Sequence, residues 1–127
     1  MYPKDLAKRA MVDIGMFSNI DLYLAFGNSG TFGVLFAGAE ADASKFDAVW
    51  TQLEKFDKYW CENFEKPNVS DLYVFHLTQM IFDSRVGKAV GKSWADFPGL
   101  CKVKTCLENC DCFEEVNGQF KTAISQM

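Results

Sequence analysis

Apolar residues at Leu6, Ala10, Ile14, Phe17, Ile20 and Leu24 recur at helical spacing and predict a first helix running to about Phe26. Pro3 opens this segment, and Asp5 falls in its first turn, where a carboxylate suits the positive end of the helix dipole. Gly15 lies in the interior, at a cost of roughly 1 kcal/mol against Ala. The run Gly27-Asn28-Ser29-Gly30 tolerates left-handed backbone and ends the helix. Phe32 to Ala39 is apolar and rich in glycine, which suits a loop or a short helix equally. A second pattern is sharper: Phe46, Val49, Trp50, Leu53, Phe56, Trp60 and Phe64 share one face, while Glu54, Lys55 and Lys58 take the other. It predicts an amphipathic helix from Ser44 to about Asn63.

Pro67 breaks that helix. Asn68 after it is a good N-cap, because its side-chain oxygen accepts from a free backbone N–H of the first turn, and Asp71 three residues on can reach back to the cap N–H. Asn68 and Asp71 therefore form an acidic capping box of structural importance. The helix they open, to about Phe82, is apolar on nearly every face, so it belongs in the middle of a helical domain. Asp83 to Asp96 is mixed in character and carries Gly87 and Gly91. Phe97-Pro98 starts another helix, with Leu100, Val103, Leu107 and Cys110 on one face. In the polar stretch Glu114 to Met127, Val116, Phe120 and Ile124 are spaced by four and suit a last short helix. With no internal repeat and no strand pattern, residues 1–127 read as one all-α domain, a helical bundle around a buried central helix.

Composition narrows what such a bundle does. With 49% hydrophobic and 24% charged residues, the chain reads as a folded globular domain. Aromatics reach 15%, including twelve Phe, and so much ring area needs a thick core, a pocket or a partner surface. The net charge of −4, without a basic run, argues against nucleic acid and anionic membranes as partners. No apolar stretch is long enough to span a bilayer, and Met1 to Ala10 has no signal-peptide character, so a cytoplasmic location with reduced thiols is expected. Of the five cysteines, Cys101, Cys106, Cys110 and Cys112 crowd into one segment. Cys106 and Cys110 share a helix face, but the others do not join them and no CxxC pair exists, so no metal site is expected. His76, the only histidine, sits between Phe75 and Leu77 on the apolar helix and reads as a core residue with one hydrogen bond. Gly87 to Ser93 is one residue short of a phosphate-binding loop and follows no strand. Asp21, Glu40, Asp42 and Asp47 read as a solvated acidic face. Tyr23, Phe26, Phe32, Phe36, Trp50 and Trp60 read mostly as core, with a hydrophobic cleft as the other use of the same rings.

Tyr2 to Asp13 (Tyr-Pro-Lys-Asp-Leu-Ala-Lys-Arg-Ala-Met-Val-Asp) resembles the start of the helical domain of insect delta-class glutathione transferases. Leu35-Phe36-Ala37-Gly38-Ala39 and the helix containing Phe46 fall at matching distances, and Asn68-Val69-Ser70-Asp71 resembles the family's Ser/Thr-x-x-Asp box. Phe97-Pro98, a helix and then Phe113-Glu114-Glu115 resemble its C-terminal end. The resemblance covers most of the chain and implies the C-terminal helical fold of that delta/epsilon-like group. It also implies that the thioredoxin-like half, which activates glutathione, is not in these residues, Met1 standing where the interdomain linker ends. In the ungapped register the acidic residue that the family directs towards glutathione falls at Asn19, and its charge is lost. The family's substrate-pocket positions fall at Leu24 and Gly27, then at Phe32, Leu35 and Phe36, whereas a slip of one residue brings Tyr23 and Phe26 there instead. The loop before Pro67 is shorter than in the family and Asp83 to Asp96 is longer.

The resemblance thus implies a module without catalytic residues of its own, needing no cofactor, with glutathione relevant only if a thioredoxin-like domain is supplied. The expected role is protein interaction, a partner protein or a second copy covering the face left by the absent half. The alternative is a share in a glutathione-conjugating enzyme, with Leu24, Phe32, Leu35 and Phe36 forming the hydrophobic pocket for the electrophile. A carrier of small hydrophobic ligands is the third expectation.

Overall fold

The computed structural model describes residues 2–127. Met1, where the resemblance places the end of a linker, lies outside the described residues. Among these residues the chain forms seven α-helices, two short 3-10 helices and no strand.

Helix α1 spans Leu6–Asn28. Its N-cap is Asp5, whose carboxylate accepts from Lys8 N at 2.9 Å, so Pro3 precedes the helix rather than opening it. The face that α1 buries is also not the one its apolar spacing predicts. Val12, Asn19, Leu22, Ala25 and Phe26 turn inward. Leu6, Ile14, Phe17, Ile20 and Leu24 stay 78%, 58%, 72%, 52% and 56% exposed. The helix is apolar on several sides, so periodicity alone cannot choose between them. Close approach chooses: α1 crosses the central helix at Gly15, where a Cβ would stand 2.6 Å from Ser70 Oγ. Asn19, one turn on, hydrogen-bonds to the same Ser70. The Gly15 side leaves room for the Ser70 side chain, where a larger residue would collide with it.

Phe32 to Ala39 resolves into a helix, α2 (Thr31–Ala37), bounded by Gly30 and Gly38 at φ 80 and 70. Only glycine takes that left-handed backbone without strain, which is what confines the helix to two turns. A 3-10 helix, Ala43–Phe46, leads into α3 (Asp47–Asn63), so the single segment expected from Ser44 is two joined pieces. Asp42 caps the entry by accepting from Ser44 N. Helix α3 buries Val49, Trp50, Leu53 and Trp60, the apolar face its spacing predicts.

Helix α4 (Val69–Phe82) is the central element and buries Val74, Phe75, Leu77, Thr78, Gln79 and Ile81 along its length. The mixed stretch after it holds α5 (Arg85–Val90) and a 3-10 helix, Trp94–Asp96. Helix α6 (Pro98–Glu108) starts on a proline, as the sequence predicts, and packs on α3. At that crossing a Cβ on Gly99 would meet the backbone oxygen of Asp57 at 2.3 Å, and Leu100 N donates to Asp57 Oδ1 at 2.9 Å. An acid on α3 thereby caps the positive end of α6. Helix α7 (Phe113–Ser125) is longer than the sequence suggests but buries only Asn117 and Ile124. Of the row spaced by four, Ile124 is buried and Phe120 half-buried against His76, while Val116 is exposed. Between the helices the rings form a continuous chain: Phe82 lies 6.1 Å from Trp50, 5.8 Å from Phe97 and 5.3 Å from Trp94, and Trp94 lies 5.5 Å from Phe75. Most of the aromatic ring area is therefore core.

Candidate functional site

The α1–α4 crossing carries the polar feature least explained by packing. Asn19 is 2% exposed. Its Nδ2 donates to Ser70 O at 3.2 Å and to Ser70 Oγ at 3.3 Å, which fixes the amide plane against α4. The other end of that plane, Oδ1, is buried and has no hydrogen-bond donor in the protein. Asn19 Nδ2 also donates to Met16 Sδ at 3.8 Å, and Met16, Ile20 and Tyr23 from α1 and Tyr73 from α4 line, with Asn19, a hollow of about 220 Å³. No charged side chain lines it. In the sequence Asn19 stands out only through the family resemblance, as an acidic position that has lost its charge; its burial against Ser70 follows from the packing of α1 on α4.

The outer face of α1 is the second feature. Leu6, Ile14, Phe17 and Leu24 follow helical spacing on the side away from α3 and α4, with Ile20 at its edge. An apolar stripe of this length is larger than the scattered exposed residues of an ordinary surface.

The pocket positions taken from the family resemblance are only partly brought together. Phe32 and Phe36 stack on one side of α2, centroids 6.2 Å apart and both exposed. Leu35 turns the other way into the core, and Leu24 lies on the outer face of α1.

The Asn68 and Asp71 positions have a structural role. Asn68 Oδ1 accepts from Ser70 N at 2.8 Å and Asp71 N at 3.3 Å, and Asn68 N donates to Asp71 Oδ2 at 2.9 Å. Asp71 has a further partner that sequence reasoning missed: Trp60 Nε1 donates to its Oδ1 at 2.9 Å. Burial pushes the Asp71 carboxyl up from its ordinary value, and the two hydrogen bonds oppose that rise. His76 sits between Phe75 and Phe120, centroids 5.5 Å from each. Loss of hydration lowers its pKa, against a smaller opposing effect of Gln79. Gln79 Oε1 and Asn117 Oδ1, both buried, also lack donors in the protein.

The cysteines disperse. Cys101 Sγ turns to the Trp94 carbonyl, while Cys61, Cys110 and Cys112 are exposed. Among the described residues, no group of three or more His, Cys, Asp or Glu side chains is placed to hold a metal ion. Nor is any helix there long and apolar enough to cross a membrane.

Comparison with protein-family models, with curated proteins and with solved structures finds no match to this chain.

Proposed function

We propose that the chain is a helical interaction module, of the kind its resemblance to the C-terminal domain of glutathione transferases suggests, and that it works by association rather than by catalysis of its own. The observation that carries this reading is the outer face of α1: five large apolar side chains, each more than half exposed, on a helix whose opposite side is already packed. From Leu6 to Leu24 the stripe runs about 27 Å at about 1.5 Å per residue, the span of a helix-in-groove anchor row.

A second copy of the chain fits this stripe. Two α1 helices laid antiparallel about an axis level with position 15 set Leu6 of one copy opposite Leu24 of the other. The same register sets Arg9 of each opposite Asp21 of the other. The pairing is isologous, the arrangement of a two-fold dimer, and it joins opposite charges at both ends.

Sedimentation tests it. The chain is expected to self-associate, and Phe17→Asp to leave a folded monomer. Asp21→Arg should weaken association, and adding Arg9→Asp should restore it. A chain that stays monomeric at every concentration and is unchanged by Phe17→Asp overturns the reading. The non-catalytic half of the proposal has its own test, conjugation of glutathione to a generic aromatic electrophile by the purified chain. A rate equal to the uncatalysed one is expected, and turnover would overturn it.

A further inference from the structure

Helix α7 is held to the rest of the chain differently from the other helices. Across the body, side-chain hydrogen bonds tie one element to the next. Asn19 of α1 donates to Ser70 of α4, Trp60 of α3 to Asp71 of α4, and Arg85 of α5 to the Val34 carbonyl of α2, while Asp57 of α3 accepts from Leu100 N of α6. Among the described residues, no such bond and no ion pair joins α7 to α1–α6; its hydrogen bonds stay within the helix or reach the turn before it. We propose that α7 is a strap that opens as a unit. It swings away from α4 about the Asn109–Cys112 turn while α1–α6 stay folded, and opening uncovers Phe75 and His76. The device is separate from the outer face of α1.

The closed position combines modest apolar contact with two opposing costs. Phe113 lies on Phe75 with centroids 5.8 Å apart, and Phe120 lies on His76 at 5.5 Å. The only wholly buried side chains of α7 are Ile124 and Asn117. Asn117 opposes closure. It is 5% exposed, and its Oδ1 has no donor in the protein. A helix standing alone does not bury its own side chain so far, so docking removes water from this acceptor and opening returns it. A buried acceptor left unpaired is costly. The second cost sits at the hinge. Cys112 takes left-handed backbone at φ 63, and no side chain caps α7 there. A residue with a Cβ disfavours that conformation, and the strain is released once the turn is free to move. An element with little apolar burial and no tying bonds is where opening short of full unfolding is expected.

Native-state hydrogen exchange of the full chain, read amide by amide by NMR, tests this. The amides from Asn117 to Ile124 should share one level of protection, about 100-fold below that of Val74 to Ile81 in α4. Their exchange should also depend less on urea, because opening the strap exposes less surface than unfolding does. Trp60→Phe weakens a bond inside the α1–α6 body, which is intact in both the closed and the open strap. It should therefore speed α4 exchange by about tenfold and leave α7 unchanged. Asn117→Leu keeps the shape of the side chain and removes the unpaired acceptor, so it should raise the protection of α7. Equal protection of α7 and α4, a gradient falling steadily towards Ser125 as in simple fraying, or equal acceleration of both helices by Trp60→Phe would each overturn the proposal. So would an Asn117→Leu chain in which the protection of α7 is unchanged or lower.

Discussion

Trp60 illustrates how a residue read as apolar can have a polar task. It lies on the buried face of α3 as its spacing requires, yet its indole N–H donates to Asp71 at the start of α4. Trp60→Phe keeps most of the ring and removes the donor, leaving a buried carboxylate oxygen unpaired. A loss of about 1–3 kcal/mol in urea unfolding is expected, and an unchanged midpoint would show that the bond contributes nothing. Cys112 is the opposite case, a side chain in a conformation it does not favour. It precedes α7 at φ 63 and ψ 0, the left-handed region, and is the only non-glycine residue described with a positive φ. Left-handed backbone costs a residue with a Cβ roughly 1–2 kcal/mol. Cys112→Gly should therefore stabilise the chain by up to about 1 kcal/mol, since glycine's greater freedom in the unfolded state offsets part of the gain. Calorimetry would detect this as a higher Tm, and a lower one would refute it.

At the scale of elements, helices meet where glycine lets them. Gly99 brings the first turn of α6 so near α3 that an added Cβ would stand 2.3 Å from a backbone oxygen, which no rotamer change relieves. Gly99→Ala should cost at least about 2 kcal/mol, although alanine favours helix by about 1 kcal/mol. Gly15→Ala should cost less, because its nearest neighbour is the movable Ser70 hydroxyl. Equal effects of the two substitutions would show that backbone proximity is not what sets the crossings. Element boundaries were legible where a local signal existed: the Asn68–Asp71 cap, the proline opening α6 and the two-sided pattern of α3. They were not legible at α2, because Gly30 and Gly38 signal a break without saying whether two turns of helix fit between them.

For the whole molecule, the seam between α4 and α7 brings pH into stability. His76 is half-buried against Phe75 and Phe120, and loss of hydration lowers its pKa from 6.5. As pH falls through 6.5, the unfolded chain takes up the proton before the folded one, so stability falls with pH below that point. His76→Leu removes this dependence. Urea midpoints measured from about pH 8 to about pH 5 should fall more steeply for the native chain than for the variant, and parallel curves would contradict the burial argument. The site at Asn19 belongs to this scale too, because its orphan oxygen exists only through contacts of α1 with α4, residues 51 positions apart.

The sequence by itself determined the helices. Helical spacing, caps and glycine or proline breaks act over a few residues, and they are enough to place α1, α3, α4 and α6 and to mark α4 as the buried centre. Only the tertiary structure decided which side of α1 faces inward. Apolar residues lie on more than one side of that helix, so hydrophobicity does not distinguish the sides. Steric fit of Gly15 against Ser70 does, and it is a relation between two helices that neither pattern contains. The same choice left Leu6, Ile14, Phe17 and Leu24 in solvent and set Asn19 beside the hollow. Both candidate surfaces of this chain thus follow from a packing decision.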